Sequence, residues 1–124
     1  MSPLVGFHHV QLAMPAGREN EAERFYSGLL GLARVPKPEH LAVRGGCWFR
    51  GDGVEVHLGV EEDFRPARKA HPAFLVEGLD ALRARLERGG AEVVDDAQLD
   101  GHRRFYSSDP FGNRIELIER DRSG

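Results

Sequence analysis

The stretch SSDPFGNRIELIE, residues 107–119, has the pattern of a strand, a tight turn and a second strand. The letters DPFGN are typical of a turn, because aspartate, proline, glycine and asparagine each favour turn conformations. In the second strand Ile115 and Leu117 alternate with polar residues, so one face is apolar and packs on a core. Glu116 lies on the other face, beside Arg114. The stretch therefore predicts a hairpin that points a carboxylate away from the core.

An earlier segment has the same pattern. In VEVHLGV, residues 54–60, the valines and the leucine share one face and leave His57 on the other, and the turn GDG comes before it. His57 precedes Glu116 by 59 positions (116 − 57), and His9 precedes His71 by 62 (71 − 9). Self-similarity at such a period indicates an internal duplication.

Each half of the chain is predicted to contain a strand, a helix and then further strands. The strands are expected at residues 7–14, 47–50, 54–60, 71–77, 91–94, 103–108 and 114–119, and the helices within 15–32 and 79–90. PKPEH, residues 36–40, is predicted to be a loop.

The length of 124 residues fits one domain. The predicted organisation is a single domain over residues 1–124, with a first module at 6–60, a connector at 61–70 and a second module at 71–120. A module of about 55 residues buries too little surface alone, so the two modules should share one core.

The composition excludes several classes of protein. The net charge is −3 and the arginines are scattered among acids, so neither nucleic acid nor an anionic membrane is expected as a partner. Cys47 is the only cysteine, which excludes an intrachain disulfide. No secretion signal and no continuous apolar run of membrane-spanning length is present, so a cytoplasmic location is expected.

Four polar side chains occupy equivalent places in the two halves: His9 and His71 in the first strands, and His57 and Glu116 in the last strands. All four lie opposite the apolar face, which is the pattern of a concave sheet with a wet interior. Three imidazoles and one carboxylate that converge would suit a divalent ion such as Zn²⁺, Mn²⁺, Fe²⁺, Co²⁺ or Ni²⁺. His57 remains open as a ligand or as a residue of the pocket wall, and His8 is predicted to be a structural residue on the apolar face.

Four segments of the chain resemble sequences of the vicinal oxygen chelate superfamily: FHHVQLAM, AERFYSGLLGL, HPAFLVEGLD and SSDPFGNRIELIE. The resemblance covers residues 6–120. This superfamily includes glyoxalase I, bleomycin-resistance proteins, fosfomycin-resistance thiol transferases and extradiol dioxygenases. The resemblance implies an α+β fold of two tandem βαβββ modules that form a cupped mixed sheet, and it implies a homodimer whose cavities take ligands from both chains.

The resemblance also implies roles for individual residues. It assigns His9, His71 and Glu116 as metal ligands and places His57 at the fourth position, where many glyoxalase I enzymes have glutamate. Glu116, or a metal-bound water, is the expected general base. The candidate substrate contacts are Gln11, Trp48, Arg50, Arg104 and Tyr106.

The preferred hypothesis is a metal-dependent enzyme of the glyoxalase or lyase type that acts on a small oxygenated metabolite or drug. A metal with exchangeable positions would bind two adjacent oxygens of the substrate and stabilise developing negative charge. The alternatives are a drug-binding resistance protein without catalysis, a fosfomycin-type thiol transferase, which would use a thiol cosubstrate, and an extradiol-type dioxygenase. Drug-sequestering members usually lack the ligand set, so its presence argues against that class.

Overall fold

The computed structural model describes residues 1–120 of the chain. Its strands are β1 (Val10–Met14), β2 (Ala33–Val35), β3 (Cys47–Gly51), β4 (Val54–Val60), β5 (Ala73–Val76), β6 (Val94–Asp95), β7 (Arg104–Ser108) and β8 (Arg114–Glu119). Its helices are α1 (Glu19–Glu23), which continues into a π-helical segment (Arg24–Leu29), α2 (Glu39–Ala42) and α3 (Leu79–Arg88). The last four residues of the expected domain, 121–124, lie outside the described residues.

The strands form two four-stranded mixed sheets, one in each half of the chain. The strand order is β1-β4-β3-β2 in the first sheet and β5-β8-β7-β6 in the second. β1 pairs with β4 and β5 with β8 in parallel, and the other neighbours are antiparallel. Each half follows the order βαβββ, which confirms the predicted α+β fold of two tandem modules.

One face of each sheet packs on a core that both modules share. Phe49 of the first sheet and Phe105 and Leu117 of the second are almost fully buried and belong to one hydrophobic cluster. Because side chains alternate along a strand, their neighbours turn to the opposite face. That opposite face, called the site face below, contains His57 and Glu116.

β1 begins at Val10, whereas the sequence predicts a strand from residue 7. In the observed register Val10 pairs with Val56, and residues 8 and 9 do not join the ladder although β4 begins at Val54. His9 therefore lies just before β1 rather than within it. His71 likewise lies before β5, which begins at residue 73 instead of the predicted 71.

The region between the first helix and β3 also differs from the prediction. β2 was not predicted, because three residues are too few to show an alternating pattern. The segment 36–40 is not entirely a loop, since α2 begins at Glu39. The amides of Leu41 and Ala42 both bond to the Pro38 carbonyl, so the proline lies where a helix tolerates its missing N–H.

Two other elements have different bounds from those predicted. The strand expected at 91–94 is displaced to β6, where Val94 pairs with Tyr106 of β7. The first helix is not uniformly α-helical, because its second half forms hydrogen bonds such as that from the Leu30 amide to the Phe25 carbonyl, five residues back.

No helix within residues 1–120 combines the length and the apolar composition that crossing a membrane requires.

Asp109 and Asn113 of the turn between β7 and β8 are buried and connect the two modules. The Tyr26 hydroxyl donates to Asp109 Oδ2 at 2.7 Å, and the Asn113 side-chain amide donates to the same oxygen at 3.0 Å. The Asn113 amide also donates to the Ala13 carbonyl at 2.8 Å, and Asn113 Oδ1 accepts from the Ala67 amide at 3.1 Å. Burial, followed by the Asp109 charge, raises the pKa of Tyr26 well above its ordinary value. Asn113 therefore links β1 and the connector to the last hairpin.

Candidate functional site

His9 and His57 are two of the predicted metal ligands and are called the first donor pair below. Their rings belong to a stack of three rings on the first sheet. Trp48 of β3 and His57 of β4 are paired across the sheet, and their ring centroids are 4.0 Å apart at an interplanar angle of 6°. His9 covers the other side of His57, with centroids 4.0 Å apart and an angle of 18°. This sandwich explains how His57 is only 6% exposed although it lies on the site face.

Glu55 fixes the orientation of the His57 ring. His57 Nε2 is 2.8 Å from Glu55 Oε2, and Arg50 Nε donates to the other Glu55 oxygen at 3.0 Å. These hydrogen bonds lower the pKa of Glu55, with the largest contribution from His57. Burial lowers the pKa of His57, although the bond to Glu55 opposes this. A carboxylate only accepts, so Nε2 carries the hydrogen and Nδ1 is the nitrogen left to bind a metal.

His8 lies beside His9 rather than against the core. Its Nδ1 is 2.9 Å from Nδ1 of His9, and both side chains are exposed. The prediction of a structural residue on the apolar face is therefore wrong for His8. The cause is the late start of β1, because the alternation that assigns faces begins only at Val10.

His71 and Glu116, the second donor pair, are in direct contact. His71 Nδ1 is 2.8 Å from the Lys69 carbonyl oxygen, which can only accept a hydrogen bond. His71 Nε2 is 3.0 Å from Glu116 Oε1. Both neighbours are acceptors, so a neutral imidazole donates to only one of them and leaves the lone pair of its other nitrogen facing an oxygen. With Nδ1 donating to the Lys69 carbonyl, a proton or a metal ion between Nε2 and Glu116 Oε1 would satisfy both contacts.

Arg104 and Tyr106 of β7 hold the Glu116 carboxylate in place. Arg104 Nη1 donates to Glu116 Oε2 at 3.2 Å and to the Tyr106 hydroxyl at 2.7 Å. The Tyr106 ring meets the His71 ring edge to face, with centroids 5.3 Å apart. Glu116 is only 4% exposed, and its buried carboxylate accepts from Arg104 at Oε2 and adjoins His71 at Oε1.

The four predicted ligands are thus brought together as two pairs. Within residues 1–120, no three His, Cys, Asp or Glu side chains lie close enough together to hold a metal ion. The candidate substrate contacts divide in the same way, since Trp48 and Arg50 adjoin the first pair and Arg104 and Tyr106 adjoin the second. Gln11 is exposed and pairs with His57 in the β1–β4 register.

The sequence prediction did not include two charged residues that adjoin the donor pairs. Glu55 contacts His57, and the Arg114 guanidinium lies over the Tyr106 ring, with its carbon 3.7 Å from the ring centroid. Each lies two residues before a predicted ligand, on the same face of the same strand. That spacing was the available signal, because side chains at i and i+2 of a strand are neighbours.

A surface cavity of about 190 Å³ lies away from both donor pairs, between α3 and β7. Its charged side chains are paired with one another, as in the ion pairs of Arg83 with Asp95 and of Arg103 with Asp80. The cavity borders Arg104 but includes none of the four predicted ligands.

Comparison with known proteins places the chain in a family. The glyoxalase-like domain family matches residues 11–118. The chain therefore belongs to the glyoxalase-like domain family, within the vicinal oxygen chelate superfamily that its sequence resembles. None of the curated proteins compared with the chain matches it.

Several crystal structures share the fold. A protein from Bacillus anthracis, assigned to the glyoxalase family, is 48% identical over 98% of this chain and 99% of its own, with a TM-score of 0.91. A glyoxalase/dioxygenase from Nostoc punctiforme is 21% identical over 98% and 96%, with a TM-score of 0.77. The fosfomycin resistance protein FosX from Listeria monocytogenes is 16% identical over 98% and 95%, with a TM-score of 0.72. At such identities the last two similarities concern the fold alone.

Proposed function

We propose that the chain is a metal-dependent enzyme of the glyoxalase or lyase type, which acts on a small oxygenated metabolite or drug. The observation that carries the proposal is the second donor pair. There, an imidazole nitrogen lies 3.0 Å from a buried carboxylate oxygen, and the other ring nitrogen lies 2.8 Å from the Lys69 carbonyl oxygen, which can accept its hydrogen. Nitrogen and carboxylate donors of this kind suit zinc and the divalent ions from manganese to nickel.

The residues proposed to hold the metal are His9, His57, His71 and Glu116. When bound, the ion would act as a Lewis acid toward two adjacent substrate oxygens. In metal-bound His71 the Lys69 carbonyl would accept from Nδ1 and leave Nε2 for the ion, and Arg104 fixes the Glu116 carboxylate. Such outer hydrogen bonds orient metal ligands. Glu116 is also the proposed general base, because its oxygen Oε1 has only the exchangeable His71 contact while Oε2 is held by Arg104.

The division of the donors into two pairs supports a homodimer with shared sites. β1 and β5 are the end strands of their sheets, and each donor pair includes a histidine that lies just before one of them. The segment before β1 also exposes Leu4, Val5 and Phe7, which are at least 84% exposed. In a two-fold dimer, the first pair of one chain would face the second pair of the other, and symmetry would create two equal sites.

Elemental analysis of protein purified without added metal tests the proposal. We expect about one ion per chain in the unmodified protein and a loss of most of it in His71→Ala and in Glu116→Ala. His40→Ala, at an exposed position of α2, is the matched control and should keep its metal. Retention of normal metal content in both site variants would contradict the proposal, provided that circular dichroism shows them folded.

Parallel assays distinguish the reaction subclasses. The metal-loaded protein is offered methylglyoxal with glutathione, fosfomycin with and without a thiol, and catechol with oxygen. Turnover of one of these that is lost in Glu116→Gln would assign the subclass. Metal binding with no turnover of methylglyoxal, fosfomycin or catechol would favour a drug-binding protein without catalysis.

A further inference from the structure

Arg114 is a positively charged side chain at the second donor pair that the proposed function does not use. It is the first residue of β8 and shares the site face with Glu116, two residues later. Residues at i and i+2 of a strand are roughly 7 Å apart. The guanidinium carbon lies 3.7 Å from the centroid of the Tyr106 ring, a cation–π contact that fixes the position of the charge.

Arg104 lies beside the same Tyr106 ring but differs from Arg114 in its hydrogen bonds. The donor nitrogens of Arg104 are all engaged: Nε with the Ala97 carbonyl at 2.9 Å, Nη1 with Tyr106 and Glu116, and Nη2 with Asp96 at 3.3 Å. Arg104 is therefore committed to the protein itself. Its role is to hold the carboxylate of Glu116.

Arg114 has almost none of these contacts. Among residues 1–120, its guanidinium forms one long hydrogen bond, from Nη1 to the Arg68 carbonyl at 3.4 Å, and no carboxylate lies within ion-pair distance. An arginine has five N–H donors in a planar fork that matches a carboxylate or phosphoryl group. Most of the Arg114 donors are therefore available at a partly buried position, where a charge-assisted bond is strong.

We propose that Arg114 is a specificity-determining residue that binds an oxyanion group of the substrate, either a carboxylate or a phosphonate. The inference deepens the proposed function and rests on it, because the substrate's two adjacent oxygens would bind the ion that His71 and Glu116 are proposed to hold. The substrate class is then a small acid whose anionic group lies a few bonds from two adjacent oxygens. The stacked guanidinium is already ordered before binding, so little side-chain entropy is lost when the anion arrives.

A titration of metal-free protein tests the anion site by itself. The chemical shifts of backbone amides are followed by NMR as methylphosphonate or acetate is added at constant ionic strength, which distinguishes the two kinds of oxyanion. We expect saturable binding of at least one probe, weakened about tenfold or more in Arg114→Gln. Arg114→Lys should restore part of the affinity, because it keeps the charge but not the planar fork.

Arg120→Gln is the matched control, because Arg120 also lies at an end of β8 but forms an exposed ion pair with Glu77. Its affinity for the probes should equal that of the unmodified protein. No saturable binding in the unmodified protein, or equal affinity in folded Arg114→Gln, would overturn the inference. This result does not depend on whether the chain holds a metal.

A second titration uses metal-loaded protein and two matched chelators, catechol and 3,4-dihydroxybenzoate, which differ by one carboxylate. Arg114→Gln should weaken dihydroxybenzoate about tenfold while leaving catechol almost unchanged. Equal weakening of both chelators indicates a structural role and overturns the inference. A chain that takes up no metal contradicts the proposed function instead, and the metal-free titration then decides the role of Arg114.

Discussion

The two donor pairs lie at matching positions of the two modules but have different surroundings. His9 and His71 each lie just before the first strand of a module, while His57 and Glu116 lie within the last strand. Around His57 the neighbours are aromatic rings, stacked at 4.0 Å on both sides. Around Glu116 the neighbours are an arginine and a histidine, whose nitrogens lie 3.0 to 3.2 Å from the carboxylate oxygens.

This difference shows that the duplicated fold preserves the place of the donors but not their chemistry. In the proposed metal site the first module would supply two imidazole nitrogens in an aromatic environment. The second supplies an anionic oxygen donor whose geometry is fixed by directed bonds, together with the spare charge of Arg114. One module is therefore suited to complete a metal site, and the other to hold charge and accept a proton.

The largest expected effect comes from mixing two inactive variants. His9→Ala breaks only the first pair and His71→Ala only the second, so each variant alone should bind little metal. When the two are unfolded together and refolded, about half of the dimers should be heterodimers, each with one intact site if sites are shared. About a quarter of the normal metal content and activity should return.

Each variant refolded alone is the control for that experiment. If the mixture recovers no more than the separate variants do, the two pairs do not meet across a dimer. A light-scattering mass that corresponds to one chain would lead to the same conclusion.

A smaller effect is expected from the carboxylate that orients the first pair. Glu55→Gln keeps a hydrogen-bond acceptor for His57 Nε2 but removes the negative charge, so the ring becomes a weaker ligand. We expect about a tenfold loss of affinity for Co²⁺, measured by competition with a chelator. Glu61→Gln, an exposed residue just after β4, should have no effect. Unchanged affinity in Glu55→Gln would mean that His57 belongs to the pocket wall.

Much of the fold could be predicted from the sequence, because β-strands with one buried face show their period directly. The strand predicted at RIELIE has the same bounds as β8, and the turn residues GDG and DPFGN locate two of the hairpins. β2 and β6, with three and two residues, have no measurable period. Their positions depend on pairing with β3 and β7, which is information from distant parts of the chain.

The candidate site was only partly predictable for a similar reason. Alternation and the repeat together suggest His57 and Glu116 as donors on the site face. They do not reveal that Nδ1 of His71 lies beside a carbonyl two residues earlier, or that Arg104 uses all its donor nitrogens while Arg114 forms one long hydrogen bond. Those properties depend on side-chain rotamers and on neighbouring strands, which a period of two does not encode.

The two corresponding turns should also differ in their contribution to stability. Asn113 is 1% exposed and bonds to Asp109, Ala13 and Ala67, whereas Asp52 in the turn between β3 and β4 is exposed. Asn113→Ala should lower the free energy of unfolding by about 2–4 kcal/mol, because it leaves buried groups unpaired. Asp52→Ala should change it by less than about 0.5 kcal/mol. Urea denaturation with a constant m-value measures both, and equal losses would remove the distinction.

The smallest expected effect is optical. Trp48 is the only tryptophan and stacks on His57, so its fluorescence reports on the first pair alone. Co²⁺, an open-shell ion, should partly quench this emission when it binds at His57, whereas Zn²⁺, with its filled d shell, should quench it much less. His71→Ala should abolish the quenching if both pairs hold the same ion. Stoichiometric Co²⁺ binding without quenching would mean that the second pair holds the ion by itself, and the stacked rings would then serve to contact the substrate.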